Sequence, residues 1–145
     1  MPPEPTHCFT YGSLMCEDIM GAVCAARAPF VAATLDGFRR SPVTGEEYPG
    51  MVPAPGEQVE GVLYLDLPES AWTRLDHFEG IEYSREQVSV RTADGRSLAA
   101  WTYVFKPEFA SRLGPGEWDF QRFLATGKAR FEALYLGFDT LGRVD

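Results

Sequence analysis

Between Ser41 and Gly56, seven of the sixteen residues are proline or glycine: Pro42, Gly45, Pro49, Gly50, Pro53, Pro55 and Gly56. No regular helix survives that density. Each interior proline removes a backbone donor and clashes with the preceding turn, and each glycine raises the entropy lost on ordering. The segment reads as an irregular surface loop. Regular architecture must then be assembled from the pieces on either side. On the N-terminal side, His7 to Tyr11 suits a half-buried strand, broken by Gly12-Ser13. From about Met15 to Cys24 the pattern turns helical, with Glu17 and Asp18 placed where acids favour a helix start. Phe30 to Leu35 is a second strand, closed by Asp36-Gly37.

On the C-terminal side, Val59 to Leu65 predicts a buried strand. Asp66-Leu67-Pro68-Glu69 opens a helix, with Asp66 or a neighbour as cap and Pro68 near the first turn. Ala71, Leu75 and Phe78 form its inward stripe, and Gly80 stops it. Arg85 to Arg91 and Leu98 to Phe105 flank Asp94-Gly95, a strong hairpin signal. Trp118 to Leu136 holds one or two helices, interrupted near Gly127. The order β-α-β-β-α-β-β-α indicates α+β rather than regular βαβ alternation. The expected architecture is a mixed, strongly curved sheet forming a small, partly closed β-barrel flanked by helices. With no internal repeat or linker, residues 1–145 are expected to form one domain.

Such a chain buries roughly two-thirds of its unfolded surface, so a core is available without metals or disulfides. At 45% hydrophobic and 13% aromatic it is too apolar for disorder. A net charge of −8 argues against general affinity for nucleic acid or anionic membrane. The N-terminus has neither the basic start nor the apolar core of a signal peptide, and no apolar run approaches a membrane span. Cys8, Cys16 and Cys24 lack CxxC spacing and read as small buried hydrophobes in a reducing cytoplasm. His77, in Asp76-His77-Phe78-Glu79, lacks recognisable metal ligands elsewhere, so no metal or other cofactor is expected.

Two places carry possible chemistry. Tyr11-Gly12-Ser13-Leu14 is a strand followed by a glycine turn into a helix start. Unpaired backbone N–H groups there suit a carboxylate or phosphate. The alternative is a tight turn that uses Gly12 for its backbone freedom. Ser13 lacks a nucleophile elbow and an evident histidine partner, so a serine hydrolase is not expected. The second place is Leu75-Asp76-His77-Phe78-Glu79-Gly80. Glu79 falls in the last helical turn, where the helix dipole and apolar neighbours such as Phe78 and Ile81 favour its protonated form. Such a carboxylate suits general base and general acid work; the alternative is a solvated helix-end acid. Asp76 and Glu82 read as solvated or capping residues, and Trp72, Trp101 and Trp118 as core or rim aromatics.

Taken together, these motifs resemble the gamma-glutamylcyclotransferase-like family, which includes gamma-glutamylamine cyclotransferases and the avirulence-induced-gene-like proteins of plants. The resemblance also rests on Gly37-Phe38-Arg39, Tyr48-Pro49-Gly50 and Val59-Glu60-Gly61-Val62-Leu63-Tyr64. Tyr83-Ser84-Arg85 and Ala100-Trp101-Thr102-Tyr103 complete it. It implies substrate-binding roles for Tyr11, Gly12, Ser13, Leu14 and Met15, and a catalytic role for Glu79. Tyr83, Arg85 and Tyr103 match recurrent positions and are carried over as substrate-binding residues. Met15-Cys16 stands where some members have a basic or polar residue, which bears on substrate preference. The implied partner is a small gamma-glutamyl compound. Its alpha-amine attacks its own gamma-carbonyl to give 5-oxoproline and release an amine or amino acid. The competing expectation is a non-catalytic small-molecule binding protein on the same scaffold, with a stress or signalling role.

Overall fold

The computed structural model describes residues 5–133. Its elements follow the expected order: β1 (Cys8–Thr10), α1 (Glu17–Cys24), β2 (Phe30–Pro42), β3 (Pro49–Tyr64), α2 (Glu69–Glu79), β4 (Tyr83–Thr92) and β5 (Ser97–Phe105). A helical stretch follows, made of α3 (Phe120–Arg122), a π-turn over Phe123–Gly127 and α4 (Lys128–Phe131). The strands close on themselves in the order β1-β3-β2-β4-β5. The sheet is mixed, since β1 is antiparallel to β3 and parallel to β5. The fold class is α+β, a five-stranded barrel flanked by helices.

Side-chain alternation along the strands sorts two cores. Phe9 and Leu63 pack with Leu35, Met51, Val90 and Val104 inside the barrel. Their chain neighbours Cys8 and Tyr64 join Ile19 and Met20 of α1 and Ala71 and Leu75 of α2 in an outer layer. Leu75 is fully buried, a placement that contributes roughly 2 kcal/mol and docks α2 on the barrel. Gly61 marks the tightest approach: a Cβ there would lie 2.1 Å from the Thr10 carbonyl oxygen.

The expected loop from Ser41 to Gly56 is corrected. β2 and β3 run through it as one long hairpin, with Ser41 opposite Gly50 and Pro42 opposite Pro49. Three of the prolines sit where a missing N–H costs little, and Pro53 stands within the ladder opposite Phe38. Pro42 and Pro49 end their strands. The register then breaks between Asp36 and Phe38, so that residues 54–57, Pro55 among them, bulge opposite Gly37. Gly37 and Gly56, at φ +84° and +85°, supply the left-handed backbone of that bulge. Asp36-Gly37 therefore marks a bulge rather than a strand end.

Asp66 does not cap α2. Pro68 holds the N-cap position without a side-chain bond, and Asp66 accepts the Thr6 hydroxyl instead. In the last helical stretch the chain continues past Gly127 through the π-turn, started by Asp119, whose carboxylate accepts the Gln121 and Arg122 N–H groups. The expected end of that stretch, residues 134–136, lies outside the described residues. Among the described residues no helix is long and apolar enough to cross a membrane.

Candidate active site

β1 ends at Thr10, and the chain from Tyr11 to Leu14 leaves the barrel as a loop held at three points. The Tyr11 hydroxyl donates to the Tyr103 carbonyl oxygen at 2.5 Å. The Arg40 guanidinium, stacked 5.4 Å from the Trp118 ring, donates to the Tyr11 carbonyl at 2.8 Å. The Tyr64 hydroxyl donates to the Leu14 carbonyl, also at 2.8 Å. The motif does not run straight into α1. Ser13–Met15 forms a single 3-10 turn, and Cys16 is extended (φ −77°, ψ 118°) before α1 begins. The turn closes through the Met15 and Cys16 N–H groups, so those of Ser13 and Leu14 precede its bonds. Gly12, at φ −133° and ψ −133°, leaves room beside β3: a Cβ there would meet the Pro49 ring at 2.8 Å.

Glu79 is the last residue of α2, and Gly80 (φ +78°) ends the helix behind it. This places the carboxyl in a cleft lined by Tyr11, Gly12, Ser13, Leu14, Tyr83 and Tyr103, with Tyr48 and Pro49 alongside. An adjoining hollow shares Ser13, Tyr48, Glu79 and Tyr83 and is walled by Phe78 and Phe131. Burial pushes the Glu79 carboxyl up to about 8. Of the two apolar neighbours expected to contribute, Phe78 lines the hollow, whereas Ile81 is 76% exposed and turns away. The phenols of Tyr11, Tyr83 and Tyr103 are pushed up as well, burial being the leading cause. Among the described residues of this cleft, Glu79 is thus the group whose charge changes near neutral pH.

A stability consequence follows from the sign of that shift. The folded protein holds the Glu79 proton up to about pH 8, whereas the unfolded chain releases it near 4.5. The stabilisation is complete below the unfolded value and is lost as pH rises through the folded one. Glu79→Gln should therefore gain stability relative to wild type as pH rises from 4 to 9, by on the order of 2–4 kcal/mol. Thermal unfolding of both proteins across that range measures it, and a constant difference would show that Glu79 is not held protonated.

Tyr11, Gly12, Ser13, Leu14, Glu79, Tyr83 and Tyr103 are brought together as the sequence suggested. Met15 packs on the outer core and Arg85 lies outside the cleft, in a shallower depression with Asp76 and Trp101. Asp76 is not simply solvated. It accepts the Tyr103 hydroxyl at 2.6 Å and an Arg85 N–H at 3.0 Å. Glu82 likewise pairs with Arg112 and accepts the Tyr48 hydroxyl at 3.4 Å. Sequence reasoning missed Arg40 and Phe131 entirely. It quoted Tyr48 and Pro49 only within a motif, because the approach of Pro49 to Gly12 arises only once β3 lies beside the loop. The three cysteines are buried free thiols. Among the described residues no three His, Cys, Asp or Glu side chains converge as metal ligands would.

A barrel with this loop and a half-buried helix-end glutamate can be set beside known proteins. The family described as "Gamma-glutamyl cyclotransferase, AIG2-like" matches residues 8–120. AIG2-like protein D of Arabidopsis thaliana is 33% identical over 117 residues, spanning 79% of this chain and 76% of the relative. The chain belongs to the gamma-glutamyl cyclotransferase, AIG2-like family. A solution structure of an Arabidopsis thaliana protein superposes with a TM-score of 0.68 at 27% identity, covering 93% of this chain and 91% of that one. A structure described as a gamma-glutamyl cyclotransferase shares the fold, with a TM-score of 0.62 at 22% identity over 71% of this chain and 68% of its own.

Proposed function

We propose that the protein is a gamma-glutamyl cyclotransferase whose catalytic residue is Glu79. The observation that carries the reading is a carboxyl pushed up to about 8 at the edge of the Tyr11–Leu14 loop, in a chain of this family. A gamma-glutamyl compound brings its own nucleophile, so the enzyme has to fold the substrate and carry protons from the attacking nitrogen to the leaving one. Glu79 in its ionised form takes a proton from the alpha-ammonium. The freed amine attacks the gamma-carbonyl carbon, forming the ring C–N bond. As the tetrahedral centre collapses, the bond to the leaving nitrogen breaks and Glu79 returns its proton to that nitrogen; the second proton of the ring nitrogen then passes through Glu79 to the released amine, which leaves as an ammonium. The products are 5-oxoproline and a free amine or amino acid. Holding the folded conformer converts much of the barrier into binding. One carboxyl of this acidity suits both proton transfers.

The Ser13 and Leu14 N–H groups are positioned to meet the developing oxyanion or the alpha-carboxylate. Tyr83 and Tyr103 wall the substrate, and the hollow beside Phe78 and Phe131 receives the leaving group. The test is direct measurement of 5-oxoproline from a panel of gamma-glutamyl dipeptides and gamma-glutamyl amines. Turnover is expected, with kcat/KM rising with pH along an acid limb whose midpoint lies near 8. A panel that binds and yields no 5-oxoproline would overturn the reading.

A further inference from the structure

Behind the cleft, five side chains from three elements form a tie, of which Tyr103 alone also lines the cleft. Trp72 and Asp76 lie one turn apart on α2, Arg85 on β4, and Trp101 and Tyr103 on the same face of β5. Arg85 pairs directly with Tyr103 across the ladder. Its guanidinium sits between two indoles, 5.1 Å from the Trp72 ring and 4.8 Å from that of Trp101. From there it holds Asp76 by two contacts, Nε at 3.0 Å and a terminal nitrogen at 3.3 Å. Asp76 in turn accepts the Tyr103 hydroxyl at 2.6 Å. Tyr103 and Tyr83 each line both the Glu79 cleft and the Arg85 depression, and of the two only Tyr103 is held by Asp76. The Tyr103 main-chain carbonyl also takes the Tyr11 hydroxyl. One residue thus joins the tie to the loop.

We infer that Asp76 and Arg85 are positioning residues: Arg85, clamped between Trp72 and Trp101, fixes Asp76, which fixes Tyr103 as the wall that keeps water from Glu79. This replaces direct substrate contact as the role of Arg85. It rests on the reading of Glu79 as the proton carrier. A planar guanidinium stacked on two indoles loses little further freedom on meeting a carboxylate, and an ammonium cannot reproduce the arrangement. A hydroxyl donating to a carboxylate is a short, directional bond that sets the ring about its own axis. Desolvation in the cleft favours the protonated form of Glu79, and Tyr103 is one of the walls that supply it. Among the described residues the other titratable groups around it are Cys8 on β1, Tyr11 in the loop, Tyr48 before β3 and Tyr83 on β4, with Asp76 on its own helix.

Two variants loosen Tyr103 without changing the net charge beside Glu79. Tyr103→Phe removes the hydroxyl alone. Asp76→Asn combined with Arg85→Gln removes both charges of the pair. For each, the carboxyl carbon of Glu79 is titrated by NMR, and kcat, KM and thermal unfolding are measured. The inference expects the Glu79 midpoint to fall by about one pH unit in both variants as water enters. It also expects kcat to fall about tenfold, with KM held within about twofold. Arg85→Lys should not restore either value. A rise in KM at constant kcat would overturn it in favour of direct substrate contact by Arg85. A lower melting temperature with an unmoved Glu79 midpoint would reduce the tie to a merely structural one. If wild-type protein makes no 5-oxoproline, the cyclotransferase reading falls separately. The Glu79 titration then decides the tie alone: a midpoint unmoved in both variants overturns it, and a fall in both upholds it.

Discussion

Glu79→Gln should fold as wild type and lose 5-oxoproline formation by about a thousandfold, the range that a single proton-transfer group commands. Glutamine keeps the length and much of the hydrogen-bonding capacity of the side chain, and it is as good a helix former as glutamate. The barrel, Leu75 and the Gly80 stop are untouched. What disappears is the group that changes charge near pH 8. Substrate should still bind, because the loop and the tyrosine walls remain. The measurement is single-turnover product formation beside equilibrium binding of the same gamma-glutamyl compound. Undiminished turnover would remove Glu79 from the chemistry. Lost binding with residual kcat would make it a substrate ligand instead.

Gly61→Ala should have the largest effect on folding. Gly61 lies on β3 where β1 crosses it, and an added methyl would overlap the Thr10 carbonyl oxygen at 2.1 Å and the Phe9 ring at 2.8 Å. Neither neighbour is a flexible chain end, so the strands have to separate. The expected loss is on the order of 3 kcal/mol, read as a lower urea midpoint. Gly21→Ala gives the opposite sign: it lies in α1 with its nearest neighbour 3.9 Å from the new methyl. That change should stabilise by about 0.5–1 kcal/mol through helix propensity. Equal effects from the two substitutions would show that the β1–β3 contact is looser than described.

The parts legible from the sequence were those set by local chemistry. Asp94-Gly95 announced the β4–β5 hairpin, and the Pro68 to Gly80 pattern gave α2 with Glu79 at its end. The β2–β3 hairpin was hidden because proline reads as a strand breaker, although Pro42 and Pro49 end strands and Pro55 falls in a bulge. The partners of Asp76 were hidden for a different reason. Arg85 and Tyr103 reach it only after β4 and β5 have been laid beside α2, and no spacing along the chain encodes that meeting. Glu79 was correctly expected to be hard to ionise. Its burial came from the cleft as a whole, and Ile81 took no part in it.

The pairing pattern also has a kinetic meaning. β2–β3 and β4–β5 are long hairpins between chain neighbours, whereas β2 meets β4 through two residue pairs and β1 meets β5 through one, Cys8 with Trp101. Local hairpins close fast, and contacts between distant parts of the chain come late because their loop entropy is met first. The late partner here is β1, the strand that carries Tyr11 to Leu14 to its place beside Glu79. The Tyr11 to Leu14 loop is therefore expected to reach its place beside Glu79 only with the final closure of the barrel. The single β1–β5 pair makes that seam the expected first opening, so amide exchange at Cys8 to Thr10 should precede melting of the hairpins.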